Sequence, residues 1–180
     1  MPLTTYVANE VLTAASLNAN FNYAVTVPAA PSQAIFNETQ ASTTNGGTAT
    51  SGSFVKRTLN TTIVNNITGC SISSSVITLA AGTYRVEAYA PVYRVNSQQL
   101  RFFNNTASAI LGAPGNNLIV DNTGDNGGIA ILDTYFTLTV SSACQLEQRV
   151  QTTVTNAGYG NANGFSTSEI YAQVTLTKVA

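Results

Sequence analysis

One short segment of the chain carries the residue types that bind hard metal ions. It spans residues 121–128 and holds Asp121 and Asp125 among asparagines and glycines. Carboxylate and amide oxygens are the ligands that calcium prefers, and glycines let a loop turn around an ion. The twelfth position of this loop is Leu132, however, where an EF-hand requires an acid. Asp121 and Asp125 are therefore a calcium candidate, and an ordinary Asn/Asp/Gly surface loop is the alternative.

Catalytic chemistry has few residues to draw on. The sequence contains no histidine, which excludes Ser-His-Asp and Cys-His mechanisms, and two cysteines without histidine do not make a structural zinc site. Hydrolysis of a glycosidic bond needs only two carboxylates. The acids available for it are Asp121, Asp125, Asp133, Glu87 and Glu147.

Two of these acids have a simpler interpretation. Glu87 lies beside Arg85, and Glu147 lies beside Arg149, in runs that look like strands. Acids in such positions form cross-strand ion pairs on a solvent-exposed face of a sheet. We therefore predict a protein that is not an enzyme and that has no cofactor other than the candidate calcium ion.

Two asparagine-rich loops have the composition of a carbohydrate-binding rim. The first holds Asn116 and Asn117, and the second holds Tyr159 and Asn161. Amide side chains and an aromatic face suit ligands that carry many hydroxyl groups. A solvated turn without a ligand is the alternative, because loops are exposed by default.

The composition limits the partners of the protein. Charged residues make up 8% of the sequence, hydrophobic residues 44%, and the net charge is −1. Clustered Lys and Arg, which would displace counterions from nucleic acid, are missing, so we expect no nucleic-acid binding. The first 21 residues lack the features of a signal peptide, and no stretch approaches the roughly 18 apolar residues of a membrane span. We expect a soluble protein made in the cytoplasm, with buried thiols at Cys70 and Cys144 or, alternatively, a disulfide between them.

The elements that position these residues fall into two regions, 1–53 and 54–180. In the first region, apolar residues recur at helical spacing from 8 to 24, and Pro28 and Pro31 end that pattern. Residues 28–53 are rich in Asn, Thr, Ser and Gly and predict an extended linker or arm. The Ile35-Phe36 pair within it is either a first strand docking on the body or a contact for a partner.

The second region predicts antiparallel strands. Short runs of Val, Ile, Thr, Tyr and Phe alternate with Gly, Asn and Ser clusters, and several runs alternate apolar and polar residues. About nine such strands fit a two-sheet sandwich or jelly roll. The predicted strands are 54–60, 62–67, 76–80, 82–93, 99–104, 108–111, 128–140, 144–154 and 168–179.

The strand region resembles the C1q/TNF-like jelly-roll domains at the ends of many phage fibre and particle-surface proteins. The resemblance rests on five segments, of which "L-x-A-G-T-Y" at 79–84 is the most characteristic. The others are residues 56–61, 88–91, 146–150 and 169–179. The predicted fold is thus all-β, a C1q/TNF-like jelly-roll sandwich with a short N-terminal helix and an extended arm.

The N-terminal segment is similar to the opening segment of phage tail-fibre-like proteins, in which a "G-E-V-L-T-A-x-x-L-N-x-N-F" string is common. Here the string starts at Asn9 in place of glycine. The resemblance implies that this segment attaches the protein to a virion. The apolar residues that would make the attachment are Val11, Leu12, Leu17 and Phe21.

The resemblance also implies a homotrimer that packs around a three-fold axis through one sheet. Tyr135, Phe136 and Tyr171 are its candidate interface residues, and ordinary core packing is the alternative for each. The leading hypothesis is a virion structural protein, either a tail-fibre or receptor-binding protein that contacts a host surface glycan, or a capsid decoration protein on the head shell. A stand-alone glycan-binding module is a third hypothesis.

Overall fold

The computed structural model describes residues 11, 13–15 and 32–179. The chain divides into two compact units, residues 1–31 and residues 32–180. The predicted helix at 8–24 lies almost entirely outside the described residues. No helix in the described part of the chain is long and apolar enough to cross a membrane.

Twelve strands build the described part of the second unit. They are β1 (Gln33–Gln40), β2 (Val55–Lys56), β3 (Thr61–Asn65), β4 (Ser71–Ser73), β5 (Val76–Leu79), β6 (Gly82–Tyr93), β7 (Asn96–Asn104), β8 (Ala109–Ile110), β9 (Leu118–Val120), β10 (Gly127–Leu138), β11 (Ser142–Val150) and β12 (Glu169–Lys178).

These strands form two antiparallel sheets. The first sheet has the strand order β10-β6-β12-β1-β3. The second sheet has the order β4-β5-β11-β7-β8, with β2 also paired to β11 and β9 to β7. The prediction of an all-β, two-sheet sandwich is confirmed.

The core lies between the two sheets and follows from the alternation of the long strands. In β6, Tyr84, Val86, Ala88 and Ala90 point inward and are buried, while the residues between them are partly exposed. Leu100 and Phe102 of β7 meet them from the second sheet. Because a strand turns successive side chains to opposite faces, this pattern assigns one packed face and one outward face to each sheet.

Strand β1 corrects the predicted boundary at residue 53. It lies inside the first sheet, between β12 and β3, and its Ala34 and Phe36 side chains are fully buried. The interpretation of 28–53 as a linker is therefore wrong for this strand, and the Ile35-Phe36 pair belongs to a first strand docked on the body. The pattern was hard to recognise because the apolar run is short and flanked by polar residues.

Residues 41–53 are also fixed to the body. Ala49 forms an isolated bridge with Val154. The backbone amide of each residue donates to the carbonyl of the other, with a nitrogen-to-oxygen distance of 3.0 Å in both bonds. The Gly46 amide donates to the Gly160 carbonyl at 3.0 Å. This segment is therefore a loop hydrogen-bonded to residues 153–162.

The sandwich has two distinct ends, which the strand registers define. At the proximal end, Gln33 pairs with Thr177, so the start of β1 lies beside the end of β12. At the distal end, Gln40 pairs with Glu169 and Tyr93 pairs with Gly127. The long loops 41–54, 121–126 and 151–168 all extend from the distal end, over a small second core that includes Val92, Val95 and Tyr159.

The two cysteines are free thiols. Cys144 is buried in β11, and Cys70 packs partly buried against the same core. Burial raises the pKa of Cys70 to about 11 and that of Cys144 to about 12. Both side chains serve as small hydrophobic residues of the core.

Candidate functional site

The outward face of β10 and β6 exposes large apolar side chains. Ile131 is 56% exposed and Tyr135 is 59% exposed. Successive outward positions of the two strands lie directly opposite each other, which places their side chains in one patch. We call this patch the open face; it consists of Arg85, Glu87, Tyr89, Ile131, Asp133 and Tyr135.

A bidentate ion pair lies in the middle of the open face. Arg85 donates from Nε to Asp133 Oδ1 at 2.9 Å and from Nη2 to Asp133 Oδ2 at 2.7 Å. Its Nη2 also lies 3.0 Å from Glu87 Oε1. The hydrogen bonds from Arg85 hold the pKa of the Asp133 carboxyl below its usual range. The charges of the patch are thus largely paired within one protomer.

The predicted ion pairs are partly different from those observed. Arg85 does pair with Glu87, but its cross-strand partner is Asp133. Glu147 pairs with Arg101, which lies opposite it on β7, and not with Arg149. Opposite positions on neighbouring strands bring side chains closer than positions two apart on one strand, which explains the difference for Glu147.

Two of the three candidate trimer-interface residues lie inside the protomer. Tyr135 belongs to the open face, but Phe136 points inward and packs on Tyr84, with ring centroids 5.6 Å apart. The alternation of β12 places Tyr171 on the outward face of the sheet, yet its ring is buried because the loops at the distal end fold over it. The hypothesis that Phe136 and Tyr171 form an interface is therefore wrong.

The burial of Tyr171 depends on two glycines. Its hydroxyl donates to the carbonyl of Thr44 at 2.8 Å. A Cβ atom on Gly46 would lie 2.8 Å from the Tyr171 ring, and one on Gly160 would lie 2.6 Å from it. Gly160 also has a φ of +128°, which other residues rarely adopt. The distal loops can approach this ring only because both positions lack a side chain.

A groove opens where the open face meets the distal loops. It encloses about 520 Å³ and is lined by Tyr89, Tyr93, Ile129, Asn161, Asn163 and Phe165, among others. Phe165 is 77% exposed. We call this cavity the distal groove.

The four candidate ligand-loop residues have different surroundings. Asn161 lines the distal groove, and Asn117 lines a separate cleft of about 380 Å³ that also contains Arg149. Asn116 accepts a hydrogen bond from the Ile131 amide, and Tyr159 is buried in the second core. Asn116 and Tyr159 are therefore structural, since both are held within the fold.

A buried charged cluster connects the two sheets, and the sequence did not suggest it. Arg57 is almost fully buried, and it donates to Glu38 Oε2 from Nε at 2.9 Å and from Nη2 at 2.6 Å. It also donates to Gln148 Oε1 and to the Tyr171 carbonyl, both at 2.8 Å. Its guanidinium carbon lies 3.8 Å from the centroid of the Tyr159 ring. The only sequence signal was an Arg within a strand-like run, and its partner Glu38 lies 19 positions away.

The candidate calcium residues lie in the 121–126 loop. The Asp121 carboxylate accepts from the Thr123 amide at 3.0 Å and from the Thr123 hydroxyl at 2.8 Å, which lowers the pKa of Asp121. The Asp125 carboxylate accepts from the Tyr93 hydroxyl. The described residues contain no group of three or more His, Cys, Asp or Glu arranged to hold a metal ion. Calcium binding by Asp121 and Asp125 stays a prediction.

Of the four candidate attachment residues, the structure describes Val11, which is 85% exposed. Leu12, Leu17 and Phe21 lie outside the described residues. Their role in attachment stays a prediction.

No protein-family model matches the chain, and no curated protein sequence is significantly similar to it. Solved structures with a C1q/TNF-like fold do match it. The globular domain of zebrafish complement 1qA protein is 16% identical, with a TM-score of 0.46, over 82% of this chain and 95% of that one. PRD1 vertex protein P5 is 14% identical, with a TM-score of 0.47, over 84% and 99%. Murine APRIL is 8% identical, with a TM-score of 0.49, over 82% and 99%.

Proposed function

We propose that this chain is a non-enzymatic, homotrimeric structural protein of a phage virion. Its N-terminal segment attaches it to the particle, and its distal end faces the host as part of a tail fibre or receptor-binding protein. The observation that carries the proposal is the open face, where Ile131 and Tyr135 are exposed side by side with the Arg85–Asp133 pair on the outward side of one sheet.

A second copy of the chain is the partner that best fits the open face. Exposed apolar patches on soluble proteins mark interaction surfaces. The Ile131 and Tyr135 side chains would lose water contact in an assembly, while the Arg85–Asp133 pair is already neutralised within each protomer. A self-interface can therefore cover the apolar side chains around an ion pair that is already made, while the patch keeps one net negative charge, because one guanidinium faces the two carboxylates of Asp133 and Glu87. The resemblance to trimeric jelly-roll domains favours three copies.

The two ends of the sandwich carry different features. The chain enters β1 at the proximal end, where the predicted attachment segment precedes it. The distal end carries the long loops and the distal groove. The loops and the distal groove thus lie at the end of the sandwich opposite the point where β1 begins.

The acids considered for catalysis have structural partners, which supports a protein without enzymatic activity. Glu87 and Asp133 bind Arg85, and Glu147 binds Arg101. Asp121 and Asp125 accept hydrogen bonds from Thr123 and Tyr93. Each carboxylate is thereby held in place by a neighbour of the fold.

The trimer is tested by the mass of purified protein in multi-angle light scattering. We expect three times the protomer mass for the natural chain, and a monomer or an aggregate for Ile131→Asp. Ile119→Asp is the matched control, because Ile119 is 80% exposed on β9, outside the open face. An Ile131→Asp protein that stays trimeric, or a natural chain that is monomeric, would contradict the proposal.

The location on the particle is tested by electron microscopy of intact virions with gold-labelled antibody against the chain. Label on the tail would support the fibre or receptor-binding role. Label spread over the head would contradict that role and support capsid decoration.

A further inference from the structure

We propose that the distal groove binds a neutral saccharide of two or three sugar units. The inference rests on the proposed receptor-binding role and names the ligand class of that role. It is drawn from the lining of the groove, from the contacts of Glu169, and from the contrast with the separate cleft that contains Asn117.

The lining combines aromatic faces with uncharged hydrogen-bonding groups. Tyr93 and Phe165 supply rings outside the open face, and Asn161 and Asn163 supply amides that both donate and accept. Thr167 and Ser168 add hydroxyl groups. The apolar faces of sugar rings stack on aromatic side chains, and their hydroxyl groups match amides and hydroxyls. A volume of about 520 Å³ lies in the range of small-molecule sites.

The groove is almost free of charge. Among the described residues that line it, Glu169 alone is charged, and its carboxylate is already engaged. Glu169 Oε1 accepts from the Gly164 amide at 3.0 Å and from the Thr43 amide at 3.4 Å. An anionic ligand would therefore find no counter-charge there, whereas a neutral one needs none.

The outer wall is held in a costly conformation that keeps Phe165 exposed. Gly164 and Ser166, on either side of it, have φ values of +70° and +60°. A positive φ is unfavourable for serine. Glu169 accepts from the Gly164 amide next to Phe165, and the Phe165 side chain lines the groove while staying 77% exposed.

The cleft that contains Asn117 lies on the second sheet and has a different character. It is lined by Ser51, Ser97, Gln99, Asn117 and Arg149. Arg149 gives that cleft a cation, which would favour an acidic ligand. The two sites can therefore be told apart by the charge of the saccharide that binds.

The first experiment applies the full-length protein to an array of neutral and acidic oligosaccharides, and then measures the dissociation constant of the best neutral binder by titration calorimetry. Phe165→Ala is the test variant and Phe165→Tyr the conservative one. Ile119→Ala is the control, because it removes an exposed apolar side chain outside the groove. The mass of each sample is measured by light scattering.

We expect binding of a neutral saccharide that weakens about tenfold in Phe165→Ala, as loss of one buried aromatic contact implies, and that changes less than about twofold in the other two variants. A trimer that binds no neutral saccharide, that binds acidic saccharides only, or whose affinity is unaffected by Phe165→Ala would overturn the groove proposal and leave the trimer proposal intact. A monomeric natural chain would overturn the proposed function, whatever the array shows.

Discussion

Asn116 forms two hydrogen bonds with Ile131 and thereby closes part of a sheet edge. Its side-chain oxygen accepts from the Ile131 backbone amide at 2.7 Å, and the backbone amide of Asn116 donates to the Ile131 carbonyl at 3.0 Å. Strand β10 is the edge of the first sheet, and an unpaired edge is a template for aggregation. The loop around Asn116 therefore imitates a neighbouring strand in the middle of this edge.

Replacing Asn116 by Ala should destabilise the fold and increase aggregation. The side-chain acceptor of the Ile131 amide is lost, which costs about 1 kcal/mol for a typical hydrogen bond. Urea denaturation followed by fluorescence measures the free energy of unfolding, and light scattering over time measures aggregation. Asn117→Ala is the control; equal stability and aggregation of the two variants would contradict an edge-closing role for Asn116.

Replacing Arg57 by Ala should be the more damaging change. It leaves the buried Glu38 carboxylate without its partner, and breaking a buried pair costs about 3–5 kcal/mol. Urea denaturation again gives the free energy of unfolding. Lys56→Ala is the control, because it removes an exposed cation outside the open face, and we expect a far smaller effect there.

The double variant Glu38→Leu with Arg57→Met separates the loss of packing from the loss of charge pairing. It removes both charges from the interior and should recover part of the stability lost in Arg57→Ala. If the double variant were less stable than Arg57→Ala, the cost would not come from an unpaired Glu38.

Glu169 should make the stability depend on pH in the acidic range. The backbone amides around its carboxylate lower its pKa below the ordinary value of 4.5. A lowered pKa in the folded state means that Glu169 adds stability above the unfolded pKa, and that this contribution is lost as the pH falls through the folded pKa.

The difference in melting temperature between the natural chain and Glu169→Gln should thus be constant from pH 7 to about 5 and shrink below about 4.5. Thermal unfolding followed by circular dichroism across this range measures it. Ser168→Ala, a neighbour without a titrating group, should give a difference that does not change with pH. A Glu169→Gln difference that grows toward acid would reverse the assigned sign.

Deletion of residues 1–31 should separate folding from attachment. All residues of the main core fall within the sequence range from Ala34 to Leu176, so the shortened protein should fold and keep its trimeric mass. Particles assembled with the shortened chain in place of the full-length one should lack it in an immunoblot. Incorporation at the natural level would contradict the attachment role of the N-terminal segment.

The sequence predicted the sheets better than it predicted the surfaces. Alternation along β6 and β12 identified buried residues such as Val86 and Leu176, because the period of a strand is set locally. Tyr171 shows where this fails. Alternation along β12 places it on the outward face, but loops from 41–53 and 151–168 cover it. The first of these loops is more than 100 residues away, and no local pattern reports a contact over that separation.

The surroundings of the predicted site residues also depend on contacts between distant segments. Asn117 and Asn161 were correctly placed in loops, but they line two different cavities. Asn116 looked equally suited to a ligand and instead binds the backbone of Ile131. Arg57 and Glu38 meet only because β1 enters the sheet, which the polar composition around it had concealed.

The meeting of the first and last strands at the proximal end has a practical consequence for protein engineering. The Lys178 amide donates to the Ser32 carbonyl at 2.9 Å, so a few residues would bridge the two positions. A circularly permuted sandwich can therefore be made by joining them and reopening the chain in the exposed 121–126 loop. Cargo fused at the new termini would be displayed beside the distal groove, on the side away from the natural entry of the chain.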